Sequence, residues 1–271
     1  MAGFLNDGWA LREQGMKHLG LIVELVRREF AGRYQGSLGG MLWALIHPLF
    51  LLSIYTLVFG VVLKTRWEGG GGTFGYALYL FAGLIIFNAF SECLLKAPAM
   101  IVGNQNFVKK VVFPLEVLPL VSAIVALLHA TIGIAVWLVC CIVLFGVPKA
   151  TMLLFPLVFL AMLPLLLGVG WIFSALGVML RDTGQVVAII SHVLLFVTPI
   201  FYSVDNIPEP LQSALALNPL TYLVGWIRGM LLVGAVPGVL EVTIYMVLSL
   251  AFAYGALCFF RRLRPLFADL I

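Results

Sequence analysis

The chain is 271 residues long, 63% hydrophobic and 10% charged, with a mean hydropathy of +1.12 and a formal net charge of +4. A soluble domain carries about 45–50% apolar and about 25% charged residues, so this chain has too little polar surface to meet water on all sides and reads as a bilayer protein. That excludes a soluble enzyme, a nucleic-acid reader, a disordered tail and a secreted disulfide scaffold, and a net charge of +4 is too mild to demand a polyanionic partner.

The first apolar run, Leu19 to Val26, is broken by Glu24 and closed by Arg27 and Arg28. A cleaved signal needs its positive residues before an uninterrupted apolar core, so residue 1 is expected to begin the mature chain. Within residues 16–34, Leu19, Ile22, Val23, Val26 and Phe30 share one side of a helix, with Lys17, Glu24 and Arg28 opposite. This pattern predicts an amphipathic helix along the membrane surface, or a solvated helix packed on a partner protein.

About 20 helical residues cross a hydrocarbon core about 30 Å thick. Six runs are long enough, at 41–63, 76–95, 115–145, 152–180, 186–204 and 238–260. The segment 206–233 differs: Pro208 and Pro210 make one break, Asn218 and Pro219 a second, and the run Leu220 to Val233 is too short to span. A pair of short re-entrant helices fits it. The expected fold is a single all-α transmembrane domain of six spans, with an interfacial helix before them and a re-entrant pair before the last.

Basic residues orient the spans. Arg12, Lys17, Arg27, Arg28, Arg33, Lys96, Lys109, Lys110, Arg181, Arg261, Arg262 and Arg264 fall in one set of connections, and only Lys64, Arg66, Lys149 and Arg228 in the other. Both termini are therefore expected in the cytosol.

Several chemistries lack their residues. No Gly-x-x-x-x-Gly-Lys-Ser/Thr occurs, so any ATP that drives the protein binds another chain, and Gly69 to Gly72 reads as a flexible outer linker. No His-Glu-x-x-His or Gly-x-Ser-x-Gly occurs, and His18, His47, His129 and His192 are scattered; no catalytic residue and no metal site are expected. Cys93, Cys140, Cys141 and Cys258 lie in apolar stretches and read as small hydrophobes. Glu92 and Lys96 have the spacing of an interfacial i,i+4 pair. The span centres are nearly uncharged, unlike those of a proton- or sodium-coupled carrier. In the second inner connection, Phe107, Val108, Val111 and Val112 flank Lys109 and Lys110. These apolar side chains either lie in lipid or fill a groove on a cytosolic partner.

Four motifs in order carry a resemblance over nearly the whole chain: Arg33 to Trp43 with Pro48; Asn106 to Pro119; Arg181 with Asp182; and Asn218, Pro219, Leu220, Tyr222 and Arg228. Together they resemble the permeases of type-2 ATP-binding-cassette transporters that export polysaccharides, most of all the O-antigen exporters, with capsule and teichoic-acid permeases sharing the plan. Small-molecule exporters of the same fold, and a channel or carrier acting without ATP, are the rival readings. The resemblance implies a homodimer in the bacterial inner membrane, paired with two ATPase subunits that hold ATP and magnesium. The cargo would be a glycan linked to a polyprenyl diphosphate. It implies that Phe107, Val108, Lys109, Lys110, Val111 and Val112 couple to the ATPase, and that Arg33, Ser37, Leu38 and Gly39 meet the lipid-linked head group; the alternative for Arg33 is that it only snorkels to lipid phosphates. Aromatic side chains able to stack on sugars are expected in the channel, with Phe81, Phe87, Phe90, Phe196, Phe201 and Tyr202 as candidates. Pro219, Gly225, Arg228 and Gly229 are expected to build an outer gate, or else a structural plug that never moves, Arg228 pointing to the aqueous mouth, to lipid head groups or to Glu241.

Overall fold

Backbone that crosses lipid must satisfy its hydrogen bonds internally, and helices do so within one segment. In the computed structural model, which describes residues 19–36, 39–62, 72–108, 114–204 and 207–270, every regular element is helical. Helix α1 (19–32) precedes α2 (Trp43–Tyr55), which runs on as π-helix through Thr56–Val62. Then follow α3 (Gly72–Met100), α4 (Gln105–Val108), α5 (Val117–Phe145), α6 (Phe155–Met179) and α7 (Thr183–Val197). Helix α8 (Glu209–Leu215) and α9 (Pro219–Arg228, π-helical on through Val233) meet at 97°, and α10 is Val239–Leu270.

Five of these helices are long and apolar enough to cross a membrane, or six if the bent α8–α9 pair counts as one span. The expected span at 186–204 is instead a helix of 15 residues that stops at Val197. Its length is about 22 Å at 1.5 Å per residue, short of the hydrocarbon thickness. Pro199 explains the stop, because the residue before a proline is pushed out of the helical region, and Thr198 is extended (φ −73°, ψ 135°). Asn218 sets the bend of the re-entrant pair: its side-chain oxygen accepts from Leu220 N at 3.0 Å, and Pro219 takes the first helical turn, where a missing N–H costs nothing.

Helix α3 is the centre of the bundle. The most apolar stretch of its span is 72% buried within the chain, against 11% for the span of α2 and 22% for that of α10. It packs on α5, α6, α7 and α9, while α10 lies along α6. Lipid tails are as apolar as leucine, so helix association here rests on close packing of small residues and on interhelical hydrogen bonds. Gly177 of α6 illustrates it: a Cβ there would fall 2.1 Å from the carbonyl oxygen of Pro98 in α3. Gly170 meets Pro119 and Gly133 meets Ile85 in the same manner, at 2.9 and 3.1 Å. Trp137 donates to Leu78 O at 3.1 Å, and the hydroxyls of Ser91 and Ser191 bond at 2.7 Å, tying α5 and α7 to α3.

Gly177→Ala should therefore force α6 from α3 and sharply lower the yield of monodisperse protein extracted in detergent. Gly255→Ala, where an added methyl meets nothing within 4 Å, should extract as wild type. Equal yields of the two variants would mean that the α3–α6 contact is not tight.

Candidate functional site: a charged cleft beneath the interfacial helix

Two ends of the bundle differ in charge. The basic end carries α1 and the last turns of α10, and a cavity of about 1060 Å³ opens there between α1, α2, α3 and α5. Helix α1 and the turn that follows it bring Glu29, Phe30 and Arg33 to the bundle. Arg33 Nη1 donates to Glu92 Oε1 of α3 at 2.5 Å, and His129 Nδ1 of α5 lies 3.0 Å from both Glu92 oxygens. A nitrogen that donates to a carboxylate cannot also accept from Arg33, so the Arg33–His129 approach of 3.1 Å is a by-product of their shared partner. The tautomer assigned by that network leaves Nε2 of His129 as an acceptor, and this buried atom has no partner among the described residues. Phe30 stacks on the imidazole at 5.1 Å and Tyr34 meets it edge-on at 5.9 Å. Burial pushes the Tyr34 phenol above its ordinary value, with Arg33 opposing the rise and Glu92 adding to it.

The expected Glu92–Lys96 pair is not formed. Lys96 instead pairs with Glu29 of α1, and Glu92 serves Arg33 and His129. Contacts through α1 replace the local pair because a helical i,i+4 pair in water is worth only about 0.2–0.5 kcal/mol, less than charge-assisted bonds at a half-buried site. Beyond the charged rim the cavity wall is mixed, with Trp43, His47 and Pro48 of α2 and Asn88 and Ser91 of α3 lining it beside the almost wholly buried Phe81 and Ile85. A second cluster at the same end joins three helices: the carboxylate of Glu116 accepts from Arg264 Nη1 at 3.0 Å and lies 3.6 Å from Arg261 Nε. The backbone oxygen of Glu116 accepts from Trp171 Nε1 at 3.1 Å.

The proposed site residues scatter over several environments. Arg33 is half exposed on the cavity rim, and Gly39 packs on Trp43, whose Nε1 would lie 2.8 Å from a Cβ at that position. Ser37 and Leu38 lie outside the described residues, as do Lys109, Lys110, Val111 and Val112; the backbone of Phe107 and Val108 belongs to α4. Phe81 borders the cavity but is only 2% exposed, Phe87 and Phe90 are buried in the same core of the single chain, and Phe196 is exposed. Phe201 stacks on Phe59 at 5.7 Å. Tyr202 shares its hydroxyl between Phe196 O and Val197 O at 2.9 and 3.1 Å, closing the end of α7.

At the end opposite the cavity, Pro219 starts α9 and Gly225 faces open space, with nothing within 4 Å of an added Cβ. A Cβ at Gly229 would lie 3.4 Å from the carbonyl oxygen of Ala235. Arg228 does not face water, lipid head groups or Glu241. It is buried against α3 and the turn after α7, and Glu241 accepts instead from Trp226 Nε1 at 2.8 Å. Sequence reasoning missed His129, Glu29 and Tyr34; the one signal for His129 was a polar ring in the middle of an apolar run.

A multi-pass helical bundle with a charged cleft at one end and a bent re-entrant pair at the other is the build of a membrane permease. Residues 20–232 match the ABC-2 type transporter family, and the chain belongs to that family. It is similar to the O-antigen export system permease protein RfbA of Myxococcus xanthus, 26% identical over 257 residues that cover 94% of this chain and 96% of the relative. A protein of the same name from Klebsiella pneumoniae is 25% identical over 93% of this chain and 95% of its own length. A further one from that organism is 28% identical over 75% of this chain and 77% of its own.

The cleft makes a graded stability prediction. Glu92→Gln removes the charge that Arg33 and His129 share and should lower the stability of the detergent-solubilised protein by about 1–3 kcal/mol. Lys96→Ala breaks a single pair, partly open to solvent, whereas Glu92 serves both Arg33 and the partly buried His129, and the Lys96 change should cost under about 1 kcal/mol. Thermal unfolding of the two variants checks this; a larger loss for Lys96→Ala would show that α1 is held by its outer pair.

Proposed function

We propose that the chain is the permease subunit of an ATP-driven exporter that moves a polysaccharide of the O-antigen type, linked to a polyprenyl diphosphate, across the bacterial inner membrane. The observation that carries this reading is the end-to-end similarity to O-antigen export system permeases, 94% of this chain against 96% of the Myxococcus xanthus relative. The cavity supports it chemically. Its rim offers Arg33, whose planar fork suits phosphate oxygens better than an ammonium does. Its wall sets the indole of Trp43 beside polar His47, Asn88 and Ser91, which suits the junction between a charged head group and sugars.

In this reading the working unit is a homodimer with two copies of a nucleotide-binding subunit. ATP and magnesium bind that subunit, because this chain has no phosphate-binding loop of its own. The basic end, with both termini, faces the cytosol by the distribution of Lys and Arg. Helix α4 follows α3 at that end, which favours Phe107 to Val112 as the segment that meets the ATPase.

Deleting the gene should abolish surface polymer and make lipid-linked polymer accumulate on the cytosolic side, and a plasmid copy should reverse both. Unchanged surface polymer in the deletion strain would contradict the reading. Loss of polymer without accumulation of the lipid-linked form would point to synthesis instead of export.

A further inference from the structure

At the end opposite the cavity, the 15-residue α7 stops short and the chain turns at Thr198 to Phe201 before the re-entrant pair. Non-helical backbone at membrane depth needs partners for its carbonyls, since no water is there to supply them. The turn finds two. Tyr202 serves the last carbonyls of α7, and Arg228 of α9 serves the turn itself. Its Nη1 donates to Pro199 O at 2.6 Å and its Nη2 to Ile200 O at 2.5 Å. Nε reaches across to Tyr79 O of α3 at 3.1 Å, and the guanidinium lies 3.6 Å over the Tyr79 ring. The residue is 7% exposed, and among the described residues no carboxylate lies within ion-pair distance of it.

The fit depends on Gly83, where a Cβ would lie 2.8 Å from Nη2 and 3.3 Å from Val224 Cγ1. A second bond braces the same junction: Asn218 Nδ2 donates to Thr198 Oγ1 at 3.0 Å, both groups buried. A charged side chain at such a place is expensive, and three carbonyls from two separate segments compensate it only while those segments stay together. Lysine has one nitrogen and cannot span the three.

From this geometry we propose that Arg228 is the positioning residue that keeps the outer end of the export pathway closed, by locking α9 onto α3 and the turn after α7 so that the three move as one body. The inference rests on the transport reading above and goes beyond it: opening does not swing the re-entrant helix away from α3. Loss of the lock should separate α9 from its neighbours and let ions leak, whether or not polymer is moving.

The test uses the full chain with its partner subunits in the deletion strain, reading membrane potential with a voltage-sensitive dye and surface polymer in parallel. Arg228→Ala and Arg228→Lys, at wild-type protein level, should depolarise the cells and lower export about tenfold or more, since each removes several charge-assisted bonds. In a background lacking Cys93, Cys140, Cys141 and Cys258, adding Gly83→Cys and Val224→Cys to Arg228→Ala allows a covalent tether between α3 and α9. Oxidation should restore both potential and export, and reductant should abolish both again.

Normal potential and export in Arg228→Ala would overturn the proposal. So would leak that persists once the disulfide has formed, which would assign the effect to the charge and not to the lock; so would a tether that seals the leak but blocks export, which would make α9 the moving gate. Should Arg228→Ala not accumulate, Gly83→Ala keeps Arg228 and crowds its Nη2: leak at normal protein level supports the lock, and wild-type behaviour opposes it. If even the wild-type plasmid fails to restore polymer, the transport reading fails, while the potential measurement still reports on the lock.

Discussion

Packing without a hydrophobic driving force is the constraint on which this bundle rests. In lipid, moving an apolar helix from the tails to the protein interior changes little in solvation, so α3 is held at the centre by contact geometry and hydrogen bonds. Alanines and glycines make that geometry available. Ala77, Ala82, Ala89 and Ala97 are buried on α3, and glycines on neighbouring helices let its backbone approach closely. The Gly177–Pro98 approach fixes the distance between α3 and α6, and α10 then lies against the far side of α6. Helix α2 is left on the periphery, joined to the rest at the walls of the cavity and through the aromatic contacts of Tyr55 and Phe59.

The same scarcity of water concentrates polar chemistry at the two ends of α3. At the basic end, side chains of α1 and of the turn after it find partners on α3 and α5, so this helix forms a wall of the cavity. At the other end, Arg228 satisfies backbone that a broken span would leave bare. A ligand entering the cavity meets a ready set of donors and acceptors, Glu29, Arg33, Glu92, Lys96 and His129, whose present partners belong to one another. An anionic head group can compete for Arg33 only by offering more than Glu92 does, which selects for groups that carry more than one charge.

Hydropathy made the long helices and the bent segment before α10 readable in the sequence, because length and apolar content alone decide what lipid admits. Proline and asparagine placed the break between α8 and α9 for the same reason: their effects are local. Partner choice was not readable. Glu92 and Lys96 stand at helical pairing distance, yet each turned to α1, and nothing in the local pattern ranks a tertiary partner above a neighbour one turn away. Arg228 looked like a residue in need of water because its acceptors, the carbonyls of Tyr79, Pro199 and Ile200, have no signature in a sequence. His129 was passed over as one of four scattered histidines, since the match between its depth in α5 and that of Glu92 in α3 exists only once the helices are packed. The short α7 was overestimated because the apolar run continues past Pro199 although the helix does not.

On the proposed reading, the lipid-linked glycan docks in the cleft between α1, α2, α3 and α5. Trp43 stands on its wall and is 48% exposed, while Val139 of α5, 60% exposed, faces outward near the opposite end. Placing a photo-crosslinking phenylalanine analogue at each position, in cells that make the polymer, tests the claim directly. Irradiation should join polyprenyl-linked glycan to the analogue at position 43 and not at 139, and the product should vanish when glycan synthesis is blocked. Equal labelling at both positions, or capture at position 43 of ordinary phospholipid alone, would contradict the account.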